Sequence, residues 1–132
     1  MLPFANTLVR VAAFAAVMPA PAASAFAAGG TCTATGTWTT SAGSGSGTWT
    51  KPKAPHCNVP GTWTDTAYYY EWVLEKGHHH TLTGYVDFGG VPCTARTWPL
   101  TGTFKKKMFT VTATNPENDG CVSFWTYTMT IK

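Results

Sequence analysis

Threonine recurs at every second position through much of this chain: Thr31, Thr33, Thr35, Thr37 and Thr39 form one file, and Thr62, Thr64 and Thr66 a second. Thr110, Thr112 and Thr114, then Thr126, Thr128 and Thr130, form two more. A side-chain period of two belongs to an extended strand, and threonine favours strands while its hydroxyl tolerates water. Apolar residues hold the alternate positions: Leu82, Val86 and Phe88; Trp98, Leu100 and Phe104; Phe109, Val111 and Ala113; Trp125, Tyr127, Met129 and Ile131. The pattern predicts antiparallel strands, wet on one face and packed on the other.

Two repeats show how such strands are joined. The phrase Cys-x3-Gly-Thr-Trp-Thr stands at Cys32, Gly36 to Thr39 and again at Cys57, Gly61 to Thr64, with Gly47-Thr48-Trp49-Thr50 between. A looser echo relates Thr81-Leu82-Thr83, Cys93 and Trp98 to Thr110-Val111-Thr112, Cys121 and Trp125. Its offset is that of one two-stranded hairpin with its loops. Turns are expected at Gly89 to Pro92 and Asn115 to Gly120 at one end, and at Glu75 to Gly77 and the Lys105-Lys106-Lys107 triplet at the other. Ser41 to Gly47 reads as a flexible Gly/Ser loop. Ala67 to Lys76, dense in aromatic and β-branched residues, reads as a strand rather than a short helix. Gly36, Gly61, Gly84 and Gly102 interrupt strands, where a sheet bends.

Residues 1–27 read as an export signal: Arg10, a short apolar run from Val11 to Met18, and Ala-x-Ala sites at Ala23 to Ala25 and Ala25 to Ala27. That run is too short to span a bilayer, so no stable membrane insertion is expected. Residues 28–132 form a single all-β domain in a secreted or periplasmic protein. The four cysteines Cys32, Cys57, Cys93 and Cys121 lie far apart without Cys-x2-Cys spacing, which points to two disulfides rather than zinc. The repeat favours Cys32 with Cys57 and Cys93 with Cys121, while the two other pairings stay open. A net charge of +3 with few charged residues predicts no nucleic-acid partner. Seven or eight strands make an up-and-down meander barrel, with a two-sheet sandwich as the alternative.

Gly61-Thr62-Trp63 resembles the Gly-x-Trp strand opening of the calycin barrels, the lipocalins and avidins. Leu82-Thr83-Gly84-Tyr85 and Leu100-Thr101-Gly102-Thr103 are similar to avidin-type strand phrases. The likeness spans roughly residues 57–132 and implies an eight-stranded barrel that binds a small molecule. Small periplasmic protease inhibitors use such a barrel too. No biotin-contacting residue carries over.

Candidate binding residues are aromatic. Trp38, Trp63, Trp98 and Trp125 hold equivalent places near strand starts; they either ring one end of the barrel, gripping an apolar ligand or a glycan, or, the favoured reading, simply supply the core of a domain with few leucines and isoleucines. Tyr68, Tyr70 and Trp72, with Tyr69, cannot all be buried on one strand and form a second candidate surface. His78-His79-His80 reads as a polar turn with too few converging ligands for a metal. The six carboxylates, Asp65, Glu71, Glu75, Asp87, Glu117 and Asp119, lie in no catalytic phrase, and Gly43 to Gly47 precedes no helix that could cradle phosphate. The expectation is a non-catalytic binding protein without cofactor, holding a small-molecule or glycan ligand. The alternative is a module that contacts a secreted protein partner, such as a hydrolase.

Overall fold

A computed structural model describes residues 30–89 and 93–132. The expected leader, and positions 90–92 of one expected turn, lie outside the described residues. The strands are β1 (Thr31–Thr40), β2 (Ser44–Pro52), β3 (Gly61–Asp65), β4 (Glu71–Lys76), β5 (Thr81–Asp87), β6 (Thr97–Lys105), β7 (Met108–Thr114) and β8 (Phe124–Ile131). Each pairs antiparallel with the next, and β8 returns to β1 from Ala34↔Ile131 to Thr40↔Trp125, closing an eight-stranded up-and-down barrel. Both favoured disulfides, Cys32–Cys57 and Cys93–Cys121, are formed.

The threonine files face outward. Thr112 and Thr126 meet across β7 and β8 with Oγ1 atoms 2.8 Å apart, and Thr110 donates to Thr128 at 3.3 Å. The alternate residues fill the lumen, where Trp49, Trp63, Trp72, Trp98, Phe109, Val111, Tyr127 and Met129 are all buried. A side-chain-filled interior is what eight strands leave room for. Glycine sits where neighbouring backbone comes too close for a side chain. At Gly84, with φ +144°, a Cβ would lie 1.8 Å from the Val73 carbonyl oxygen. Gly47 instead yields space to the Tyr127 ring, 2.9 Å from where its Cβ would stand.

Two expectations about loops are corrected. The turn after β1 is confined to positions 41–43, where Thr40 Oγ1 accepts from the Ala42 and Gly43 N–H groups, and Ser44 to Gly47 belong to β2, paired with β1. Ladder pairing overrides the flexibility that their composition suggests. Similarly, the strand expected from Ala67 begins only at Glu71. The Asp65 Oδ1 accepts from the Ala67 and Tyr68 N–H groups at 2.7 and 3.3 Å, and Tyr69 adopts φ +62°, so 66–70 is a turn.

Strand direction gives the barrel two unlike ends. At the lower end β1, β3, β5 and β7 begin and β2, β4, β6 and β8 finish; it carries the Cys32–Cys57 bridge, the 53–60 connection, the His78–His80 turn and the Lys105–Lys107 turn. At the upper end lie positions 41–43, 66–70, 88–89, 93–96 and 115–123, with Cys93–Cys121 stapling the last two.

Candidate functional site

The lower end is plugged. Trp63 donates its indole N–H to the Val59 carbonyl at 2.8 Å, and the Lys51 ammonium lies 4.6 Å from the Trp63 ring centre. Lys51 also donates to the carbonyls of Asn58 and of Pro60, the latter at 2.7 Å. Partial burial pulls its pKa below the usual lysine value. These bonds brace β2 against β3 where the ladder is short, consisting of Trp49↔Asp65 and Thr50↔Thr64 alone. Trp63 therefore does not join Trp98 and Trp125 at one rim, contrary to the expectation from phrase similarity. The same phrase on β1 and β3 runs toward the upper end, but β3 is short and its tryptophan is seated against the 53–60 connection.

The upper end is open. Tyr70, Phe88, Trp98, Val122, Trp125 and the Cys93–Cys121 bridge line an apolar cavity of about 220 Å³. Tyr70 comes from the turn before β4, Phe88 from the end of β5, and Trp98 and Trp125 from the starts of β6 and β8. Phe88 is the hub. Its ring lies 4.8 Å from both Tyr70 and Trp98, edge-on to each, and 6.1 Å from Trp125, nearly parallel. Trp98 and Trp125 both line this cavity, and the indole N–H of each is buried without a hydrogen-bond acceptor among the described residues. An orphan donor of this kind costs about 1–3 kcal/mol.

Below the mouth, Trp72 stacks on Trp49 with ring centres 4.8 Å apart and meets Trp125 edge-on at 6.0 Å. Their indole N–H groups also lack acceptors among the described residues. Trp72 is thus core rather than contact surface. Trp38 stands on the rim but outside the cavity, edge-on to Trp125 at 5.8 Å, with its N–H on the Ser46 carbonyl. Tyr68 and Tyr69 project into solvent, 61% and 76% exposed, and Tyr68 stacks on Tyr70 at 5.4 Å.

Polar groups hold this end in shape. Asp65, 2% exposed, accepts from the Tyr127 hydroxyl at 3.0 Å through Oδ2 while Oδ1 caps the tyrosine turn. Burial, followed by the negative charge and the hydrogen bond of Asp65, raises the Tyr127 pKa far above that of free tyrosine. Burial also raises Tyr70, reinforced by Tyr68 and Asp65. On the opposite side Asp119 accepts from the Thr94 N–H at 2.9 Å, from the Asn115 side chain at 2.9 Å and from the Cys121 N–H at 3.1 Å. These bonds pull its pKa down to about 2. Asp87 and Arg96, 2.9 Å apart, tie the end of β5 to the stretch just before β6.

Phe88, Val122, Trp49 and Asp65 are not among the site residues expected from the sequence. Phe88 had a signal, since it ends the inward file Leu82, Val86, Phe88 one residue before a glycine turn. Trp49 sits in the middle copy of the Gly-Thr-Trp-Thr phrase. Val122 and the buried role of Asp65 had none. His78, His79 and His80 form an exposed turn. Cys93, Cys121 and Asp119 cluster, but both sulfurs are committed to the disulfide. Among the described residues no helix is long and apolar enough to cross a membrane. No protein-family model, curated protein or solved structure matches this chain.

Proposed function

We propose that this is an exported, non-catalytic binding protein whose upper mouth seats a small apolar ligand. One observation carries the reading: an apolar cavity walled by Tyr70, Phe88, Trp98 and Trp125 at the open end of the barrel. Its size limits the occupant. Drug-sized ligands fill about 300–1,000 Å³, so about 220 Å³ accommodates a ring-sized body. The apolar walls favour one with few polar atoms. A glycan is disfavoured, because its several hydroxyls would need polar partners that the apolar walls do not offer. Two disulfides suit an oxidising compartment.

A protein partner is the second reading, favoured by Tyr68, Tyr69 and Phe124, which are exposed on the upper-end segments. In that case a single bulky side chain of the partner would enter the mouth.

Val122→Trp separates binding from folding, since it fills the cavity from a loop without excavating the core. The experiment is native mass spectrometry of wild type and V122W purified from an oxidising compartment, followed by titration with ring-sized ketones and phenols read by tryptophan fluorescence. The expected result is an adduct or a saturable fluorescence change in wild type, absent in V122W at equal stability. Identical behaviour of the two proteins would overturn the assignment of the site.

A further inference from the structure

The fold sorts charge to a degree that the order of residues along the chain conceals. All seven lysines, Lys51, Lys53, Lys76, Lys105, Lys106, Lys107 and Lys132, lie at the lower end or on its connections, with Glu75 the only carboxylate near them. Asp65, Glu71, Asp87, Glu117 and Asp119 gather at the upper end, with Arg96 the only basic residue there among the described residues. The lysines come from four separate stretches of sequence, which an up-and-down barrel brings to one face. Every one except Lys51 is exposed. Among the described residues the single ion pair is Asp87 with Arg96, so the lower-end charge is not neutralised internally.

We propose that the lower end docks on an anionic lipid surface, peripherally, with the mouth directed away from it. Charge complementarity supplies the attraction. The apolar element beside it selects a bilayer over a soluble polyanion. Met108, 57% exposed, follows the lysine turn directly. With Phe104 it borders an open groove of about 540 Å³ that also includes His80 and Lys105. Lysines that reach headgroup phosphates while a neighbouring thioether and phenyl ring enter the acyl boundary make an interfacial contact. A nucleic-acid backbone would make no use of that groove. The contact needs no spanning segment and leaves the barrel intact.

The test is co-sedimentation of the full chain with vesicles of phosphatidylcholine alone and of 7:3 phosphatidylcholine to phosphatidylglycerol. Each lysine near an anionic surface contributes roughly fivefold to partitioning. The combined Lys105→Gln, Lys106→Gln and Lys107→Gln variant should therefore lose about a hundredfold on anionic vesicles. Met108→Ser should lose severalfold more than charge accounts for, and V122W should bind as wild type does. The lysine and Met108 substitutions fall at exposed positions, and circular dichroism checks that each variant keeps the fold. Equal partitioning to both vesicle types would overturn the proposal. So would binding to a single-stranded 20-mer that matches vesicle binding and ignores Met108→Ser, which would identify a nucleic-acid surface instead.

Discussion

Replacing Tyr127 by phenylalanine removes one hydroxyl from the middle of the barrel and tests whether Asp65 is the internal anchor of the mouth. Tyr127 is 1% exposed and Asp65 2%, so no solvent can take the place of the lost donor. The hydroxyl lies 3.0 Å from the Asp65 Oδ2. A hydrogen bond to a charged group contributes about 1.5–3 kcal/mol, and that is the destabilisation expected for Tyr127→Phe. Asp65→Ala should cost more, about 3–5 kcal/mol, because it orphans the buried hydroxyl and also strips the cap from the Ala67 and Tyr68 N–H groups. Once Asp65 is alanine, adding Tyr127→Phe should cost almost nothing, so the double variant falls short of the sum by about 1.5–3 kcal/mol. Asp65→Asn should be mild, about 1 kcal/mol, since a carboxamide can keep the backbone cap and donate to the Tyr127 oxygen. Urea denaturation under non-reducing conditions, followed by tryptophan fluorescence, measures wild type and the four variants, and an unchanged slope validates the comparison. A Tyr127→Phe effect below about 0.5 kcal/mol, or an additive cycle, would refute the argument.

The raised Tyr127 pKa means that the native state holds the phenol proton more tightly than the unfolded chain, whose tyrosine titrates near 10.0. Its contribution is complete below that pH and is lost above it, so urea midpoints should fall above about pH 10 and fall less in Tyr127→Phe. Asp119 has the opposite sign. Its pKa is depressed from 3.8 to about 2, so its contribution is complete above pH 3.8 and lost as pH falls through 2. Amide exchange in 93–96 and 115–123 should therefore rise in that window, and in Asp119→Asn it should be fast at every pH. Serine at both Cys93 and Cys121 should cost about 3–4 kcal/mol for opening a loop of 28 residues, read as a lower urea midpoint. Gly84→Ala, which drives a Cβ against the Val73 carbonyl at positive φ, should cost at least about 2–3 kcal/mol by the same measurement.

The barrel was legible because its evidence is local and periodic. Thr110, Thr112 and Thr126, Thr128 alternate with Val111 and Tyr127, and that alternation alone sets which face is wet. The 28-residue echo predicted the upper disulfide because Cys93 and Cys121 follow strands that end at the same level. The site was less legible. Trp63 and Trp98 look equivalent in sequence but stand at opposite ends, since the Trp63 indole is held by the Val59 carbonyl in the 53–60 connection while Trp98 lines the mouth. Tyr68 to Tyr70 leave the strand because Asp65 caps them, and an aspartate next to a threonine gives no sign that it will be buried. Charge polarity was invisible for a topological reason: Lys53, Lys76, Lys105 and Lys132 become neighbours only when the strands are laid side by side.

Closure of the sheet has a last consequence, for the status of the chain ends. The Lys132 N–H donates to the Thr33 carbonyl at 2.9 Å, so the last residue of the barrel is bonded beside its first strand. The strand order is a cycle, and where the polypeptide begins on it is incidental to the pairing. A chain rewired to start at Ser44, finish at Thr40 and join Lys132 to Gly30 through a short linker would retain every strand pair and both disulfides. Its free ends would then flank the mouth, moving any fused cargo from the basic pole to the aromatic one.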